Sequence, residues 1–217
     1  MAEKPILFNT EMVRAILEGR KTQTRRVIKP HNPVRAKLDG YTQGYGLFFS
    51  ETRDHTADNW YIKDYTVSPC WISDRNYIKL YAPYKTDDTL WVRETWNGCK
   101  FDGAIAGVKY WYKADCDDPD EKWRPSIHMP REAARIFLRV KGVRVERLRN
   151  MTDEDAYYEG IRTDVELRAF DRPEYGEAIG GKNEFSGLWD STIKKADLQL
   201  YGWDANPFCW IISFERV

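Results

Sequence analysis

The chain has 217 residues, of which 42% are hydrophobic and 31% charged, with 34 Lys and Arg against 34 Asp and Glu. That length suits one large domain or one domain carrying an insertion, and the apolar fraction is enough for a core. The balanced charge excludes a protein that holds polyanions by net charge alone, so any nucleic-acid contact must come from a local basic patch. No apolar run is long enough for a membrane span, and Met1–Pro5 carries charges where a signal peptide needs an apolar core. A cytoplasmic address without a membrane partner is therefore expected.

In chain order, Ile6–Phe8 reads as a first short strand. Asn9 and Thr10 then offer an N-cap, Met12, Val13, Ile16 and Leu17 recur at helical spacing, and Gly19 is a stop. A helix over about residues 11–18 follows, and the basic run Arg20-Lys21-Thr22-Gln23-Thr24-Arg25-Arg26 starts where it ends. From Pro30 to about Thr89 the composition turns to Gly, Pro and aromatics, with short strand candidates at Leu47–Phe49, Trp60–Ile62 and Tyr77–Tyr81. This stretch reads as a β-rich insertion at about 30–89 within a single domain spanning 1–217.

Beyond it, Leu90-Trp91-Val92-Arg93-Glu94-Thr95-Trp96 alternates so that Leu90, Val92, Glu94 and Trp96 share one face. Tyr110–Ala114 is a further strand, and Arg135–Leu148 is a long one whose alternation slips at Gly142, as at a bulge. Thr152 with Asp155 forms a capping box for a second helix that ends near Gly160, and Phe208–Phe214 closes as a buried strand. Short strands, two small helices and no βαβ rhythm predict an α+β fold: a small mixed β-barrel with short helices over its ends.

Four cysteines and three histidines are widely scattered. Cys99, Cys116 and His128 have no ligand-like spacing, so no metal or other cofactor is expected. Nine Trp, thirteen Tyr and nine Phe can fill a core or stack on bases. Trp189, Trp203 and Trp210 have apolar neighbours and read as core.

Glu94 carries the strongest chemical signal. A carboxylate on an apolar strand face must find a cation or take up a proton. It is therefore either half of an ion pair, with Arg93 or another basic residue, or a poised acid. Lys21 and Thr24 share a face in a helical turn and oppose each other in an extended segment. The pair is either a solvated basic turn or a nucleophile with its base. His128 and Arg131 either line the same mouth and meet a phosphate, or belong to the lead-in to a strand fixed by Pro130.

The pattern Gly19-x-Lys21-x-x-Thr24-x-Arg26 resembles the Gly-x-Lys-x-x-Thr-x-Arg signature of the ASCH domain superfamily, whose fold is similar to the PUA RNA-binding barrel. "LWVRETW" resembles the family's second block, with Glu94 at its acidic position. "RPSIHMPREAARIFL", "MTDEDAYYEGI" and "NPFCWIISFERV" resemble the phage and prophage branch, so the likeness touches most of residues 1–30 and 90–217. One small bacterial member of that family removes the acetyl group from acetylcytidine, through the threonine of the signature as nucleophile, its lysine as base and a strand glutamate as acid. The resemblance implies those roles for Thr24, Lys21 and Glu94, and implies RNA or a modified nucleoside as partner. That member is about half as long and has nothing like the 30–89 insertion.

Gly19, Arg25, Arg26, Arg93, His128 and Arg131 complete the candidate set as nucleic-acid or substrate contacts. Two functions follow: an amidohydrolase acting on an acylated nucleoside, or a non-catalytic RNA- or DNA-binding module whose cations hold phosphates.

Overall fold

A computed structural model of the chain describes residues 2–28, 82–98, 109–116, 118–161 and 181–217, together with the backbone of strands at 48–50, 61–64 and 70–73. The strands are β1 (Glu3–Leu7), β2 (Gln23–Val27), β3 (Phe48–Ser50), β4 (Tyr61–Asp64), β5 (Cys70–Ser73), β6 (Thr89–Arg93), β7 (Trp96–Gly98), β8 (Tyr110–Tyr112), β9 (Phe137–Arg147) and β10 (Phe208–Arg216). The α-helices are α1 (Thr10–Leu17), α2 (Asp153–Tyr158), α3 (Gly181–Thr192) and α4 (Leu198–Tyr201). The fold is α+β. Its main sheet runs β1-β6-β9-β10-β2, with β1 parallel to β6 and every other neighbour antiparallel.

Capping sets the first helix. The Asn9 side chain accepts from Met12 N at 2.8 Å, and the chain leaves through Gly19 at φ +80°. Val13, Ala15 and Ile16 are its buried face. In β9 the register passes from Val140 opposite Phe214 to Gly142 opposite Ser213, which leaves Lys141 as the extra residue of a bulge. The slip resets the alternation, so Leu138 and Val140 before it and Val145 after it all enter one core.

Strand β10 is buried on both faces. Phe208, Trp210, Ile212 and Phe214 join the core of Ile6, Phe8, Leu90 and Val92, on the side that α1 covers. Cys209 and Ile211 join a second core, with Leu148, Ala156, Phe185 and Trp189 beneath α2 and α3. Trp189 and Trp210 are thus core residues, and Trp203 packs against the second cluster.

Several elements differ from the sequence expectation. The run Leu90–Trp96 does not hold one face, because β6 stops at Arg93 and the chain resumes as β7, paired with β8. Trp96 then packs with Met129 and Ala133 in a third cluster. Helices α3 and α4 were not expected; α3 inserts Phe185 and Trp189 into a core despite two glycines and two serines. Within the expected insertion, β3, β4 and β5 form an antiparallel sheet of their own, with β5 additional to the strands expected there. The strand candidate at Tyr77–Tyr81 lies outside the described residues. No helix among the described residues is long and apolar enough to cross a membrane.

Candidate functional site

After Gly19 the chain turns back on α1. The amides of Arg20 and Lys21 both donate to Ala15 O at 3.0 Å, Thr22 N donates to Tyr158 O at 2.9 Å, and β2 starts at Gln23. The basic run is therefore extended, with Gln23 and Arg25 on one face and Thr24 and Arg26 on the other. Most of it is not solvated. Lys21, Gln23, Thr24 and Arg25 are each 5% exposed or less.

What permits this is the acidic helix α2. Thr152 and Asp155 form its capping box, and Glu159 is its C-cap. Lys21 Nζ donates to Gln23 O at 2.9 Å, to Glu159 O at 2.6 Å and to Glu159 Oε2 at 3.0 Å, so each ammonium proton has an acceptor. Burial pulls the Lys21 ammonium below its ordinary pKa, and the Glu159 carboxylate works in the other direction without overcoming it. Arg25 Nη1 donates to Glu159 Oε1 at 3.1 Å, while its Nη2 lies 3.1 Å from Asp155 Oδ2 and its Nε has no hydrogen-bond partner among the described residues. Burial pushes Asp155 up, but hydrogen bonds from Gln23 and Thr152 and the charge of Arg25 outweigh it and leave the group below the usual carboxylate range.

Gly160 makes the approach possible. It sits at φ +92°, and a Cβ there would lie 2.7 Å from Ala15 Cβ and 3.2 Å from Lys21 Cβ. Gly160→Ala is expected to lower stability by about 2 kcal/mol or more, since left-handed backbone costs a non-glycine residue about 1–2 kcal/mol and overpacking adds to that. Gly142→Ala, whose methyl would meet nothing within 4 Å, serves as the control. Urea denaturation followed by tryptophan fluorescence measures both.

On the other face of β2, Thr24 pairs with Ile212. It is 4% exposed, and no hydrogen bond engages its hydroxyl among the described residues. Arg26 Nη2 donates to Leu7 O at 2.8 Å. Burial lowers the Arg26 pKa, with Tyr84 and Glu159 opposing. Phe8 is the common neighbour: Lys21 Nζ lies 5.3 Å and Arg26 Cζ 5.5 Å from its ring centroid.

Glu94 reaches the same neighbourhood from β6. Ile6 pairs with Val92 in parallel, and Phe8 N donates to Arg93 O at 3.1 Å, so Phe8 lies beside Glu94. The carboxylate is 1% exposed and is gripped by a fork, Arg135 Nε to Oε1 at 2.9 Å and Nη2 to Oε2 at 3.0 Å. Arg135 in turn lies 3.9 Å over the Tyr112 ring and pairs with Asp115 at 2.5 Å. Burial pushes Glu94 above its ordinary range, and the Arg135 fork offsets only part of the rise. The cation facing Glu94 is thus Arg135 rather than Arg93.

Lys21 and Arg26 therefore meet over the Phe8 ring with Glu94 on the neighbouring chain segment, and Thr24 shares the Arg26 face of β2. Lys21 is paired with Glu159 and Glu94 with Arg135; among the described residues no hydrogen bond or ion pair joins Lys21 or Thr24 to Glu94. The remaining candidates are elsewhere. Gly19 is the exposed end of α1. Arg93 stacks at 4.8 Å over Trp91. Arg131 is exposed, bonded to Glu3 and 4.6 Å over Phe137, and His128 is exposed in the turn Ser126–His128.

Sequence reasoning missed Arg135, Asp155 and Glu159. The acidic run Asp153-Glu154-Asp155 was the available signal for the carboxylates, because its charge complements the basic run; nothing local marked Arg135. A hollow of about 370 Å³ opens beside Gly160, lined in part by Asn9, Met12, Arg14, Arg20 and Leu188. Among the described residues no three His, Cys, Asp or Glu side chains gather to hold a metal, and Cys99 lies outside them. Comparison of the chain with protein-family models, with curated proteins and with solved structures finds no match.

Proposed function

We propose that this chain is an ASCH-type domain, a PUA-like barrel, that binds RNA or a modified nucleoside and hydrolyses an amide on the base. A cytoplasmic address belongs to the same reading. The observation that carries it is the opposed tuning of two buried groups near Phe8, with Lys21 shifted down and Glu94 shifted up. A lysine moved down and a glutamate moved up both shift toward neutral pH, where one can serve as a base and the other as an acid.

The step runs as an acyl transfer. Thr24 Oγ1 attacks the acyl carbon and Lys21, when neutral, takes the hydroxyl proton. The tetrahedral intermediate expels the amine nitrogen, which Glu94 protonates, leaving an ester on Thr24 that water hydrolyses to the acid. Incubation with acetylcytidine and related acylated nucleosides tests this, with cytidine release followed by chromatography. Thr24→Val, which keeps the side-chain volume and removes the hydroxyl, is expected to remove turnover while leaving the denaturation midpoint nearly unchanged. Failure of the unmodified protein to release cytidine from any of these substrates refutes hydrolysis of acylated nucleosides.

One observation favours a second reading, a binding module without turnover. Every proton of Lys21 and both oxygens of Glu94 are already engaged. In that reading the exposed Arg131 and His128 meet phosphates, and affinity for RNA falls steeply between low and moderate salt.

A further inference from the structure

We infer that Glu159, at the end of α2, is the positioning residue that holds Lys21 in place and in its charged form, so that displacement of its carboxylate frees the amine to act as a base. The inference rests on the hydrolase reading for its purpose, but its geometry stands alone. Glu159 meets Lys21 twice, through its backbone oxygen at 2.6 Å and its carboxylate at 3.0 Å, while the same carboxylate holds Arg25 at 3.1 Å. The residue lies 4% exposed by its side chain, against 2% for Lys21, so solvent does not compete for either partner. Gly160 fixes the backbone that presents it, because any Cβ there would strike Ala15 and crowd Lys21.

The charges around the pair come from β2, β9, α2 and β10. Arg25 and Arg26 repel the Lys21 ammonium, and Glu159 is the carboxylate that attracts it. Asp155 and Glu146 face Arg25 instead, and the Cys209 thiol lies within reach of both Arg25 and Glu159. Removing the negative charge of Glu159 therefore leaves Lys21 facing two guanidiniums with no counter-charge of its own. A neutral amine then becomes the favoured form at lower pH. Lys21 without its counter-charge is a base, and with it a pillar.

The test is direct observation of the Lys21 amine. In protein labelled with nitrogen-15 on lysine, the Nζ resonance is followed with pH in the unmodified protein and in Glu159→Gln, whose amide oxygen can still accept from Lys21. The midpoint is expected to move to lower pH by about one pH unit or more, the effect of losing an opposite charge at hydrogen-bond distance. Glu159→Asp, which keeps the charge on a shorter arm, should restore much of the shift. An unchanged midpoint in folded Glu159→Gln overturns the inference.

Should that variant fail to fold, the unmodified protein decides. The Glu159 side-chain carbon resonance must respond at the pH where Lys21 loses its proton, and a flat response overturns the inference equally. If the protein hydrolyses acylated nucleosides, the acid limb of its pH–rate profile should move with the Nζ midpoint in Glu159→Gln. If it hydrolyses none of them, the hydrolase reading fails, and the Nζ titration still decides the role of Glu159.

Discussion

Arg135→Ala is expected to destabilise the protein by about 3–5 kcal/mol, the range for removing one member of a buried ion pair. The size comes from Glu94. Its side chain is 1% exposed, and Arg135 supplies both of the side-chain hydrogen bonds it accepts. Without the guanidinium the carboxylate must stay charged in an apolar pocket or take up a proton. The Tyr112 ring also loses the cation stacked on it.

The sign of the pH dependence follows. Burial already raises Glu94 above its unfolded value of 4.5, and losing Arg135 raises it further. A carboxyl raised in the folded state contributes stability below its unfolded pKa and loses it as pH climbs through the folded one. The deficit of Arg135→Ala should therefore be largest at neutral pH and shrink as the pH falls toward the ordinary Glu value. Guanidinium denaturation at a series of pH values reads this out, and a deficit that is flat or grows on acidification contradicts the assignment. Glu94→Gln combined with Arg135→Met should recover a large part of the loss, because no orphaned charge is left behind.

Lys21→Ala is the second large effect, a loss of about 2–4 kcal/mol from an unpaired buried carboxylate and the emptied stem of the side chain. Arg25 remains on Glu159 and keeps the cost below that of Arg135→Ala. Lys21→Arg should not rescue it, since a flat guanidinium cannot offer three protons to the arrangement that Gln23 O, Glu159 O and Glu159 Oε2 make around one nitrogen. The consequence for enzymology is practical. Loss of turnover in Lys21→Ala would mix chemistry with unfolding, whereas Thr24→Val replaces only a hydroxyl that no described residue bonds. Thermal melts run beside the activity assay separate the two.

The parts of this molecule written in local chemistry were legible from the sequence. Asn9 and Gly19 bound α1, Thr152 and Asp155 cap α2, and Gly142 marks the bulge in β9. Glu94 could be read as buried because apolar residues alternate around it. Strand β2 was hard to see for the opposite reason. Gln-Thr-Arg-Arg-Val has no apolar alternation, since its inner positions are satisfied by carboxylates rather than by hydrocarbon. Those carboxylates lie 132 to 138 residues away in sequence, beyond any local pattern. Arg135 was invisible on the same ground, as was the division of Leu90–Trp96 between two sheets, which depends on where β8 lies. The cations were legible, but not their partners.

Thr24 on β2 is hydrogen-bond neighbour to Ile212 on β10, and among the described residues β10 is the sole sheet partner of β2. During synthesis from the amino terminus, β2 leaves the ribosome long before the strand that receives it. It must wait as an unpaired segment carrying Lys21 and Arg25, with α2 also still to come. Pairings this distant close late and slowly, because the intervening loop must be ordered before they give any return. The neighbourhood of Thr24 is therefore among the last regions to assemble. A nascent chain lacking β10 carries the whole basic run without the strand that pairs with it.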